Sequence, residues 1–117
     1  MAMIDEIREP LALASVRWVP PTQGGRSSGS PTARVYAATA VFRLGNDEEL
    51  VPGWPATADH ISILLQKVGT LPTGEDLSRV GFLAPDLARP YVKTGAELVI
   101  LEGPKVVANA IVREIFE

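Results

Sequence analysis

No cysteine occurs among the 117 residues, so disulfides, thiolate metal sites and cysteine nucleophiles are all ruled out. No apolar stretch approaches the ~18 residues that a membrane span requires. The start MAMIDEIREP carries acids where a secretory signal needs a basic region and an apolar run. A cytoplasmic protein without a membrane partner is the expectation. No GxxxxGK[ST] motif is present, which removes the phosphate-cradling loop of nucleotide switches. There is also no internal repeat, no heptad pattern and no excess of basic charge. The net charge of −3 argues against a dedicated nucleic-acid binder.

What is present is a well-stocked apolar chain. Hydrophobic residues make up 46% of it, enough for a packed core, and the length suits one domain. We expect an N-terminal arm over residues 1–10, ended by Pro10, and a single domain over 11–117. The charges are unevenly spread: Arg17, Arg26, Arg34 and Arg43 follow one another with no acidic residue between them.

Short β-type segments dominate. Leu11–Val19 alternates loosely, and Pro20-Pro21 stops it. In Arg34–Leu44, Tyr36, Ala38, Ala40 and Phe42 share one face. His60–Val68 alternates Ile61, Ile63 and Leu65 against Ser62, Leu64 and Gln66, and Arg79–Ala84 forms a fourth strand. Glu97–Glu102 and Lys105–Phe116 flank Gly103-Pro104, which predicts a hairpin with a two-residue type II′ turn: Gly103 takes φ > 0, and Pro104 has a fixed negative φ and no N–H. The connections are the Gly/Ser/Pro-rich stretch 20–33, expected to be mobile because nothing large and apolar anchors it, a proline-containing crossover at 51–58, a polar loop at 69–78 and an irregular segment at 85–95. Six short strands with turn signals between them, and no βαβ unit, predict an all-β fold: a small closed six-stranded antiparallel barrel of Greek-key type. Its expected interior comprises Val35 or Tyr36, Ile61, Ile63, Val80, Phe82, Val99, Leu101, Val106, Ala108 and Ile111.

The order of several motifs resembles the C-terminal β-barrel domain of elongation factor Tu and related translational GTPases. The matching pieces are Gly24-Gly25-Arg26, VYAATAV at 35–41, VPG at 51–53, ADHISILL at 58–65 and LVILEGPKVVANAIV at 98–112, covering most of residues 11–117. The departures are specific. The run Gly-Tyr-Arg-Pro-Gln-Phe that follows the family's GGR loop is replaced by GSPTARV. The Gly-Arg after the hairpin Glu-Gly is Pro104-Lys105, the Gly-Ala-Gly of the last strand is Ala108-Asn109-Ala110, and residues 69–94 form a longer connection. The resemblance implies a free-standing barrel without the GTPase, and RNA or factor contacts by the loop arginines.

Candidate sites follow. Gly24, Gly25 and Arg26 could form a nest of N–H groups with a guanidinium for phosphate or carboxylate. Arg34 and Arg43 would extend it to a basic face if all the guanidinium groups lay on one side. Trp54, between Pro52 and Pro55, would plug a barrel end or, if exposed, be a hot spot. Tyr91 in the 85–95 segment has the same ambiguity. His60 and Ser62 share a strand face, but Asp59 points the other way, and no oxyanion-hole motif accompanies them. Asp47-Glu48-Glu49 lacks the alternating oxygens and glycine of a calcium loop. The expectation is therefore a non-catalytic interaction module without cofactor, metal or nucleotide. It would bind a protein partner or itself through the Gly-rich loop and the 85–95 segment; the alternative is RNA or anion binding through the Gly-Gly-Arg loop.

Overall fold

The computed structural model describes residues 6–116; residues 1–5 of the expected arm lie outside the described residues. Six strands form the wall: β1 (Ala12–Trp18), β2 (Tyr36–Arg43), β3 (Ile61–Thr70), β4 (Asp76–Phe82), β5 (Glu97–Glu102) and β6 (Lys105–Ile115). They close in the order β1-β4-β3-β2-β5-β6, and every pairing is antiparallel. The run β2–β3–β4 is closed by β1 lying beside β4, a Greek-key arrangement. Closure removes most of the exposed sheet edge that would otherwise invite aggregation.

Half of the expected polar loop at 69–78 is strand. β3 continues to Thr70 and β4 begins at Asp76, leaving a tight turn in which the Leu71 N–H donates to Glu75 O at 2.8 Å. The pairing register shifts between Lys67 and Gly69, and this irregularity interrupts the alternation that would have marked the strand.

Small barrels are filled from alternate positions of each strand. Here the filling comes from Ala12, Ala14 and Val16 of β1, Ile63 and Leu65 of β3, Val80 and Phe82 of β4, Leu98 and Ile100 of β5, and Ala108, Ala110 and Val112 of β6. Two assignments on the last strands are corrected. Val99 and Leu101 face outward, where with Val41 they form a separate cluster, and Val106 and Ile111 are only half-buried. β5 is apolar at every position from Leu98 to Leu101, so a period of two could not choose a face there; on β6, Ile111 shares its face with the exposed Asn109 and Arg113. A register shift between Ile100 and Leu101 then moves the phase.

The hairpin forms as expected, with Glu102 opposite Lys105 and Gly103 at φ +60°. The described part of the arm is docked on the outer wall at Ile7, whose N–H donates to Gln66 Oε1 at 3.2 Å and whose side chain covers Gly81. Residues 85–95 make one helical turn, α1 (Pro85–Ala88), and a 3-10 turn at Arg89–Tyr91, held to the core by buried Ala88 and Val92.

Candidate functional site

Antiparallel closure sorts the barrel into two ends. The ends of β1, β3 and β5 meet the starts of β2, β4 and β6 at one of them, and there the side chains form a continuous polar chain. Arg26 Nε lies 2.7 Å from Glu102 Oε2, and Arg26 Nη1 donates to Gly29 O at 2.8 Å. The Tyr36 hydroxyl donates to the same Glu102 oxygen. Tyr36 packs edge-on against Trp18 at 5.3 Å between ring centroids, and the Arg26 guanidinium lies 5.4 Å from the Tyr36 ring. Trp18 Nε1 donates to Asp76 Oδ2 at 3.0 Å, and Lys67 Nζ sits 3.3 Å from Asp76 Oδ1.

Glu102 and Tyr36 are shifted by these contacts. The Tyr36 hydrogen bond, then the Arg26 guanidinium, holds the Glu102 carboxyl below its ordinary range against the opposing effect of burial. Burial and then the Glu102 bond push the Tyr36 phenol upward.

The Gly-rich loop is therefore latched to the barrel by a charged anchor, which the expectation of mobility did not include. Gly25 is buried so closely under the chain that a Cβ there would sit 1.8 Å from Val19 O. Its N–H donates to Pro20 O at 3.0 Å, and the Gly29 N–H donates to Arg26 O at 3.0 Å. The anchor is a charged side chain and main-chain bonds rather than apolar burial, so a count of large apolar residues missed it.

The arginines do not form one face. Arg26 is engaged by Glu102, and Arg43 by Glu49 at 2.7 Å, with Glu49 also accepting from the Gly45 N–H. The Arg43 hydrogen bond, with help from that N–H, holds the Glu49 carboxyl low. Arg34 is exposed and sits just before β2, at the opposite end of that strand from Arg43. Gly24, at φ +87°, turns the chain out of a 3-10 turn and does not frame an anion pocket.

Trp54 does not plug an end. It packs on the outer wall against the Val41, Val99 and Leu101 cluster, with the Arg43 guanidinium 5.3 Å from its ring. His60 is exposed, its Nε2 lying 3.2 Å from Pro55 O. Among the described residues, no group of three or more His, Asp or Glu is arranged to hold a metal ion.

The opposite end of the barrel is different in kind. Phe42 stacks on Phe82 at 6.0 Å and leans on Tyr91 at 5.4 Å. Beside this aromatic set opens a groove of about 430 Å³, lined by Phe42, Leu44, Ile61, Leu87 and Tyr91, with Glu48, Asp59 and His60 on its polar side. Leu44, Leu87 and Tyr91 are 50%, 64% and 46% exposed, an unusual concentration of uncovered large apolar side chains. Of the binding candidates named from sequence, only Tyr91 lies in this groove; Glu48, Asp59 and His60, weighed from sequence as metal or catalytic groups, also line it. Leu87 carries the clearer signal in hindsight: it is a large apolar residue in a short Pro-started turn, with no periodic strand to bury it.

No membrane-crossing helix is present among the described residues, since none is long and apolar enough. The chain matches no protein-family model and no curated protein.

Proposed function

We propose that this protein is a non-catalytic interaction module that binds a protein partner through the groove between the end of β2 and the 85–95 segment. The observation that carries the proposal is the clustering of Leu44, Leu87 and Tyr91, all exposed, around one cleft at the aromatic end of the barrel. Aromatic and apolar anchors in a concave site are what give protein interfaces most of their binding energy. The same reading keeps the 85–95 half of the expected binding surface and drops the Gly-rich loop, whose arginine is already occupied. Kinship with the C-terminal barrel of elongation factor Tu is supported by the closed six-stranded architecture and the Glu102-Gly103 turn. An RNA-binding role has no such support, because Arg26 and Arg43 each face a carboxylate.

The test is affinity capture from an extract of the source cells on the immobilised protein, with Leu87→Asp and Arg26→Ala alongside. Both positions leave the barrel core intact. Capture that is lost with Leu87→Asp and kept with Arg26→Ala is the expected result. The reverse pattern, or retention of RNA that falls steeply with salt, would overturn the groove reading. Sedimentation velocity on the free protein separates a second copy from a different partner, and a monomer is expected.

A further inference from the structure

Strand β2 is longer than its partner on one side. Its pairing with β3 stops at Ala40 opposite Ile61, whereas its pairing with β5 continues through Val41–Val99, Phe42–Leu98 and Arg43–Glu97. For three residues, then, one edge of β2 has no neighbouring strand. The connection that returns the chain to β3 packs on the outer face of β2 through Trp54 and Ala58 and does not pair with this edge. None of the main-chain hydrogen bonds made outside the ladders, among the described residues, involves Val41, Phe42 or Arg43. The groove lies between this stretch and the Asp59–Ile61 segment.

An uncovered strand edge is a template for another strand, and main-chain pairing of this kind is a common mode of peptide recognition. The surroundings specify the strand. Phe42, Leu87 and Tyr91 offer an apolar seat for the side chains on one of its faces. Glu48 and Asp59 line the polar side, and neither takes part in an ion pair among the described residues, whereas the nearby Arg43 is neutralised by Glu49. The net field presented to an incoming chain is negative. We propose that the occupant of the groove is an extended segment of a partner protein, paired by main-chain hydrogen bonds with the β2 edge at Val41–Arg43, carrying apolar residues at alternate positions and at least one Lys or Arg. This rests on the proposed function, since it specifies what binds the groove.

The probe is a random peptide display library panned against the full chain, with binders retained only if Leu87→Asp abolishes their binding. Enriched sequences should show apolar residues at every second position together with Lys or Arg. Synthetic copies of the best binder, N-methylated at one amide at a time, then test the main-chain pairing. Alternate methylations should each weaken binding about three- to tenfold, the usual worth of a lost hydrogen bond, and the intervening ones should not. Replacing both carboxylates (Glu48→Gln with Asp59→Asn) should weaken binding at low salt and have no effect at about 1 M salt, where charges are screened within ~3 Å. Binders with apolar residues three and four apart, indifferent to N-methylation, would overturn strand pairing while leaving the groove as a binding site. Binders without a basic residue, or indifferent to the carboxylate replacements, would overturn the charge assignment. A library that yields no binder sensitive to Leu87→Asp would overturn both this inference and the proposed function.

Discussion

Replacing Glu102 by Ala removes the acceptor shared by Arg26 and Tyr36, and the structure sets the size of the loss. Tyr36 as a whole is 9% exposed and its hydroxyl bond to Glu102 is partly buried, so water is a restricted substitute partner. A hydrogen bond to a charged group contributes about 1.5–3 kcal/mol. Glu102 itself keeps a side-chain exposure of 39%, which places the value at the low end of that range. The Arg26 ion pair, partly solvated, adds about 0.5 kcal/mol. The total is about 2 kcal/mol, or a fall in melting temperature of roughly 8 °C for a domain of this size. The pH dependence has a definite sign. The folded Glu102 carboxyl titrates below its unfolded value, so its stabilisation is full above about pH 4.3 and is lost as pH falls further. Tyr36 is shifted upward, so its contribution is full below about pH 10 and is lost as pH rises beyond it. Calorimetry from pH 2.5 to 11 on the wild type, Glu102→Ala, Tyr36→Phe and the double variant measures both arms. The stability gap between wild type and Glu102→Ala should close toward the acid end. Hydrogen exchange at Gly25 and Gly29 should speed up in Glu102→Ala, because the latch holds the loop. Additivity of the two single replacements within about 0.5 kcal/mol would refute the coupling on which the argument rests.

Two further outcomes test the local geometry. Gly25→Ala forces a Cβ into the Val19 carbonyl, so backbone must shift; a destabilisation of about 1–3 kcal/mol in urea titrations is expected, and an unchanged midpoint would place the loop elsewhere. Gly103→Val puts a β-branched residue at φ +60°, and differential scanning calorimetry should register about 1–3 kcal/mol; no change would mean that the turn takes another form.

The architecture was legible because turn chemistry and β-type segments agree along most of the chain: Gly103-Pro104 separates β5 from β6, Pro20-Pro21 follows the end of β1, and Gly45-Asn46 follows the end of β2. What escaped was whatever depends on partners distant in sequence. Val99 and Leu101 are chemically indistinguishable from Leu98 and Ile100, so only the cluster beneath Trp54 decides that they face outward. Arg26 looked free because Glu102, its partner, is 76 positions away. As a binding site the groove was legible only through Tyr91, since its other walls come from β2, the approach to β3 and α1, and no binding motif marks those segments.

The asymmetry between the two ends of the barrel has a traceable cause. At the Trp18 end the chain links neighbouring strands directly, by the five residues between β3 and β4 and by the Gly103-Pro104 turn between β5 and β6. There the Val19 N–H also donates to Val107 O, extending the β1–β6 pairing by one bond. At the other end, β2 and β3 are adjacent in the wall but separated by seventeen residues of chain, 44–60. That connection contains Pro52 and Pro55, which cannot donate to a ladder, and it is drawn across the outer wall by the packing of Trp54 and Ala58 on Val41, Val99 and Leu101. Burying that outer cluster therefore places the returning chain on the outside of β2 rather than along its edge. β3 starts only opposite Ala40, and the last residues of β2 are left without a neighbour. The apolar patch on the outer wall and the open groove at the end are two results of one packing choice. The groove is consequently a built feature of this sequence, set by Trp54 and its two flanking prolines as much as by the residues that line it.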